Sequence, residues 1–181
     1  IKRQMYKNMN NNEEIVLRQV FKKPTYKFHI RELAKITSLN PNTIISISEK
    51  LIKEGILLKK KRKHITEIFF NFDNPNAINK KRIFNLKRAY DSKLLDVIIE
   101  KFSPEAIIIM GSYSRGEDTE DSDLDIVTIS KKNYQDINLK KFERFIGRKI
   151  HLLFTNYKEM SEEFYINLIN GIVVYGAITK K

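Results

Sequence analysis

The sequence predicts an α+β protein built in two units, on three observations. Residues 15 to 53 carry apolar side chains at helical spacing and lead into two strand-like runs around a lysine cluster. Residues 107 to 126 hold two short apolar runs on either side of a loop rich in acids, with Gly111 and Gly116 as breakers. The charge is also unevenly spread. Residues 1 to 70 contain 16 Lys and Arg against 6 Asp and Glu, whereas residues 105 to 181 contain 11 against 12, within a chain of net charge +12. A length of 181 residues allows two small domains, each with a modest core.

Ile15, Val16, Val20 and Phe21 predict a first helix ended by Pro24, and Ile30, Leu33, Ala34 and Ile36 a short second one. Thr37 to Asn40 reads as a tight connection. Asn40 suits an N-cap and Pro41 the first turn of a third helix. In that helix Ile44, Ile47 and Leu51, with Ile45 and Ile52 alongside, form an apolar stripe, and Thr43, Ser46, Lys50 and Lys53 recur on another face. Gly55 ends it. Ile56 to Leu58 and Ile65 to Phe72 predict two strands joined by Lys59, Lys60, Lys61, Arg62, Lys63 and His64. Asp73-Asn74-Pro75-Asn76 marks the boundary, dividing the chain into 1–73 and 74–181, the second part opening with a helix over 76–102.

Helix, helix, turn, helix and basic hairpin together resemble the winged helix-turn-helix domain. The resemblance implies a third helix in the major groove of double-stranded DNA, with Asn42, Thr43 and Ser46 facing bases and Lys50 beside them. It also implies that Lys59, Lys60, Lys61, Arg62 and Lys63 hold phosphates. A basic excess concentrated at this end fits a polyanion-binding surface.

In the second unit Ile107 to Met110 reads as a buried strand that delivers Gly111 and Ser112 to its end. Asp123 and Asp125 are two residues apart in a following strand. Side chains alternate there, so both carboxylates face one way while Leu124 and Ile126 face the core. Two oxygen donors on a rigid strand, near a Gly-Ser turn whose backbone N–H groups can approach phosphate, suit a Mg²⁺-nucleotide.

Gly111, Ser112, Arg115, Gly116, Ser122, Asp123 and Asp125 together resemble the minimal nucleotidyltransferases of the DNA polymerase beta superfamily. Gly171 to Gly176 is similar to the apolar ending of such domains. The resemblance implies a mixed sheet with flanking helices, a bound nucleoside triphosphate such as ATP with Mg²⁺ or Mn²⁺, and metal on Asp123 and Asp125. Gly111, Ser112, Arg115 and Ser122 would attend the nucleotide. The family pattern also calls for a third carboxylate on the next strand, expected over Arg148 to Phe154, and His151 stands there instead. Imidazole is a poor Mg²⁺ ligand but a competent base. Three readings follow: nucleotide binding persists without catalysis, His151 acts as the base with altered metal use, or a residue other than His151 holds the position of the third carboxylate.

Two function classes follow. One is a DNA-binding regulator whose nucleotidyltransferase-fold domain binds a Mg²⁺-nucleoside triphosphate without transfer. The other is an active nucleotidyltransferase modifying a protein, nucleic acid or small molecule, an antitoxin-like adenylyltransferase acting on a partner toxin being one form. A homodimer is a further possible partnership. The chain has no Cys, which excludes disulfides and thiolate metal sites. It has no apolar run of membrane-spanning length and no secretory pattern, so no membrane partner and a cytoplasmic location are expected.

Overall fold

A computed structural model describes residues 11–62, 65–130 and 136–179. The chain separates into two compact units, residues 1–78 and 79–181.

The first unit begins with α1 (Asn11–Lys22), whose Val16, Leu17, Val20 and Phe21 are buried. A two-residue strand β1 (Phe28–His29) precedes α2 (Ile30–Thr37), which ends at Ser38 in the left-handed region. Asn40 caps α3 (Pro41–Lys53), its side chain accepting the Asn42 N–H at 2.9 Å, with Pro41 in the first turn. Ile44, Ile47 and Leu51 are buried as the stripe predicts. Ile45 departs from it, at 40 % exposed, because it lies one residue off the buried repeat. Ile36 is likewise exposed. The hairpin is β2 (Leu57–Arg62) and β3 (Ile65–Phe70), antiparallel, and β1 adds to the other edge of β3 to give the order β1-β3-β2.

The hairpin differs from the sequence expectation. Lys59, Lys60 and Lys61 are strand residues paired with Ile68, Glu67 and Thr66, not a loop tip. Continuous pairing satisfies the backbone groups that a six-residue loop would leave to water.

The second unit is reached through α4 (Pro75–Asp91). The helix expected over 76–102 is two: α4 stops, Lys93 takes a positive φ of 64°, and α5 (Leu94–Phe102) begins. The Ser92 hydroxyl donates to the Ala89 carbonyl and accepts the Leu94 N–H, satisfying backbone groups at the break. A four-stranded mixed sheet follows, from β4 (Ala106–Met110), β5 (Leu124–Ile129), β6 (Ile150–Thr155) and β7 (Ile172–Gly176). Its order is β6-β5-β4-β7, with β5 and β6 parallel and the other pairs antiparallel.

Both faces of this sheet are covered, which is why its central strands are near-continuously apolar. On one face Ile107, Ile109, Leu124, Ile126 and Ile150 pack with Leu94, Leu95, Ile98 and Phe102 of α5 and with Phe142 and Ile146 of α7 (Lys140–Ile146). On the other, Ala106, Ile108, Val127 and Ile129 pack with Met160 and with Leu168 of α8 (Glu162–Ile169). The five-residue α6 (Gly111–Arg115) follows β4 directly. Among the described residues no helix is long and apolar enough to cross a membrane.

Candidate functional site

Asp123, Asp125 and His151 meet at one end of the sheet. Asp123 is the last residue before β5 and Asp125 the second within it, so the two-residue spacing turns both carboxylates to one face. His151 pairs with Asp125 in the parallel register of β5 and β6. Its Nδ1 lies 3.4 Å from Asp125 Oδ1 and its Nε2 3.4 Å from Asp123 Oδ2. The imidazole therefore stands between the carboxylates and touches both. Leu124 and Ile126 are buried on the opposite face.

Met110 pairs with Asp125 across β4 and β5, which brings Gly111 to the same end. Gly111 has φ +69°, and a Cβ added there would lie 2.7 Å from Asp125 Oδ2. The backbone conformation favours glycine here, and a Cβ would also displace the Asp125 carboxylate. Ser112 is half-buried in the first turn of α6.

Two residues expected at the nucleotide make side-chain bonds to neighbours on their own loop. Ser122 Oγ accepts the Thr119 N–H at 2.9 Å, closing the acidic loop as a side-chain-capped turn. Arg115 Nε donates to Glu117 Oε2 at 2.7 Å on the exposed surface. An open cleft of about 490 Å³ adjoins Asp123, lined by Glu120, Asp121, Ser122, Glu143, Arg148 and Lys149.

Beneath this surface lies a buried polar cluster that periodicity did not disclose. Asp118 is fully buried within the acidic loop. Its Oδ1 accepts from Lys81 Nζ and, at 2.6 Å, from Asn85 Nδ2, both on α4. Its Oδ2 accepts from Arg148 Nη2 at 2.9 Å and Nε at 3.2 Å. Lys81 Nζ also donates to the Asp118 carbonyl at 2.7 Å, and Asn85 Nδ2 to the Tyr113 carbonyl at 3.0 Å. Tyr113 returns a bond from its hydroxyl to the Asn85 carbonyl at 3.1 Å. Burial lowers Lys81 to about 8, Asp118 pulling the other way, and burial raises the Tyr113 phenol. Removing one partner of such a buried ion pair costs about 3–5 kcal/mol, because a charge is left uncompensated. The signal available in the sequence was an acid inside a loop of acids, with nothing to mark it as the inward one.

In the first unit Asn42 and Ser46 are exposed on α3 and Thr43 is half-buried. Lys50 Nζ donates to the buried Glu13 Oε2 at 2.6 Å, a bond that raises the Lys50 pKa and ties α3 to α1. Lys59, Lys60 and Lys61 are exposed along β2. Lys63 and the side chain of Arg62 lie outside the described residues.

The two carboxylates at the start of β5 fit a divalent cation whose other ligands would be water and phosphate oxygens, and the missing Cβ at Gly111 leaves room beside Asp125 Oδ2. Among the described residues no three His, Cys, Asp or Glu side chains form a metal cage.

Residues 91–175 match the family model of the nucleotidyltransferase domain. A stretch of 63 residues is 33% identical to the protein named "Putative protein adenylyltransferase MJ1379" from Methanocaldococcus jannaschii, covering 32% of this chain and 63% of that protein. The chain thus spans less than two thirds of this curated relative. No solved structure matches.

Proposed function

We propose that the protein is a nucleotidyltransferase that binds a nucleoside triphosphate with a divalent metal at Asp123 and Asp125 and transfers the nucleoside monophosphate to an acceptor hydroxyl. The observation that carries this reading is the contact of one imidazole, His151, with both carboxylates beside Gly111. The match of residues 91–175 to the nucleotidyltransferase domain supports the reaction class.

In this reading His151 takes the proton of the acceptor hydroxyl. The acceptor oxygen forms a bond to the α-phosphorus, and the bond from that phosphorus to the bridging oxygen breaks, releasing pyrophosphate. Gly111 and Ser112 lie at the triphosphate. Asp123 and Asp125 would hold a divalent cation, which would neutralise charge on the phosphates. The name of the archaeal relative makes a protein the first acceptor to test.

A second reading, nucleotide binding without transfer, is favoured by the imidazole at the position where the family pattern has a third carboxylate. Incubation with ATP labelled at the α-phosphate, Mg²⁺ or Mn²⁺ and cell extract separates the two. Transfer of label by the parent, lost in Asp123→Asn with Asp125→Asn, is the expected result. Calorimetric binding of ATP without any transfer supports the second reading, and absence of binding overturns both.

The first unit is proposed to be a winged helix-turn-helix that binds double-stranded DNA. Its exposed Lys59, Lys60 and Lys61 along one strand and the exposed Asn42 and Ser46 on α3 support this, with the basic excess of residues 1 to 70.

A further inference from the structure

We propose that Asp118 is the positioning residue of the nucleotide site, a role that rests on the nucleotide-binding reading above. Asp118 lies five residues before Asp123 on the same loop, Arg148 three residues before His151, and Tyr113 two residues after Gly111. The buried Asp118 carboxylate holds Arg148 by two bonds, and Asn85 joins Asp118 to the Tyr113 carbonyl. The Asp118 carboxylate thereby binds the entries to β5 and β6 to one another and to α4, and Asn85 extends the same cluster to the start of α6. The backbone adds one tie at the same level, from the Leu124 N–H to the Lys149 carbonyl at 2.8 Å.

The chemistry of the groups suits positioning. A carboxylate accepts up to about four bonds, and here both oxygens are used by donors from different elements. The Arg148 guanidinium is a planar fork, so two bonds to Asp118 Oδ2 set its direction as well as its distance. Asp118, Lys81 and Asn85 are buried, so water cannot replace a lost bond among them without rearranging the segments. Asp118 touches neither Asp123 nor His151 in any hydrogen bond described above. Its effect passes through the loop and through Arg148.

The test uses the full chain and Mg²⁺-ATP. Asp118→Asn keeps the shape but removes the charge, and Arg148→Lys keeps the charge but removes the fork. Leu168→Ala serves as a stability control, since Leu168 lies in the apolar cluster with Ala106, Ile108, Val127 and Ile129, outside the bonds of Asp118. At a temperature below all melting transitions, Asp118→Asn and Arg148→Lys are expected to weaken Mg²⁺-ATP binding by about 10- to 100-fold, as displaced supporting groups do. Leu168→Ala should stay within about twofold, because it leaves every bond of the Asp118 cluster in place. Parent affinity in a folded Asp118→Asn, or in folded Arg148→Lys if Asp118→Asn does not fold, overturns the proposal. Equal losses in Leu168→Ala overturn it as well, because the effect would then follow stability. If the parent binds no ATP, the nucleotide reading fails by itself. Positioning is then read from the NMR shifts of the His151 ring and the Gly111 amide. Shifts that move in Asp118→Asn and hold in Leu168→Ala support the brace, and shifts that hold in both overturn it.

Discussion

His151 faces Asp125 across the parallel pairing of β5 and β6, its Nδ1 3.4 Å from the carboxylate, while the other ring nitrogen reaches Asp123 at the same distance. A neutral imidazole carries one N–H and one lone pair, so it can donate to one carboxylate and still accept a proton. Replacement by Ala removes that acceptor without disturbing the core, since the side chain is 66% exposed. His151→Ala should fold as the parent does and lose about 10²–10⁴-fold in transfer rate, measured with ATP labelled at the α-phosphate. A variant as active as the parent would remove His151 from the chemistry.

Gly111→Ala should lower both stability and nucleotide affinity. The φ of +69° costs an L-residue about 1–2 kcal/mol, and the new Cβ meets Asp125 Oδ2 at 2.7 Å, pushing that carboxylate aside. Urea denaturation reads the first effect and calorimetry with Mg²⁺-ATP the second. Loss of stability with full affinity would show that Asp125 has room to move without consequence.

Lys81 makes a prediction about pH. Its amine is lowered by burial to about 8 from 10.5, so between those values the unfolded chain holds a proton that the folded chain has released. Unfolding then takes up a proton, and stability contributed by this group rises with pH from about 8 to about 10.5, being absent below. The full rise is roughly 3 kcal/mol at about 1.4 kcal/mol per pH unit. Urea unfolding at several pH values should show this upward contribution in the parent and not in Lys81→Met. Parallel pH profiles would contradict it.

The basic strand makes a prediction about salt. Lys59, Lys60 and Lys61 are exposed along β2, and each phosphate they neutralise releases about 0.9 of a counterion from duplex DNA. Full-length protein with all three changed to Ala should bind every duplex more weakly, with a log–log salt slope smaller by up to about 3. Substitution of Asn42 or Ser46 should instead alter the preferred sequence, as read by selection from a random duplex pool. An unchanged slope in the triple variant refutes contact through β2.

Some of this architecture was legible in the chain because local rules govern it. Pro41 and Asn40 set the start of α3, Gly55, at φ +74°, ended it, and the alternation around Asp123 and Asp125 turned both carboxylates to one face. Other features escaped it for physical reasons. The single helix expected over 76–102 breaks at Lys93, since the apolar spacing continues on both sides and the hydroxyl of Ser92 can serve a helix or a break equally well. Lys50 matched the polar face of α3 by spacing, yet its partner Glu13 comes from α1, far away in sequence.

The chain by itself determined which residue types could form a site at Gly111, Asp123, Asp125 and His151, because turn chemistry and strand alternation act over a few residues. Only the tertiary structure decided that Asp118, one of five acids between Glu117 and Asp123, turns inward to meet Lys81, Asn85 and Arg148. A carboxylate enters the interior only where donors from other elements converge on it, and that convergence is a property of packing that no local pattern encodes.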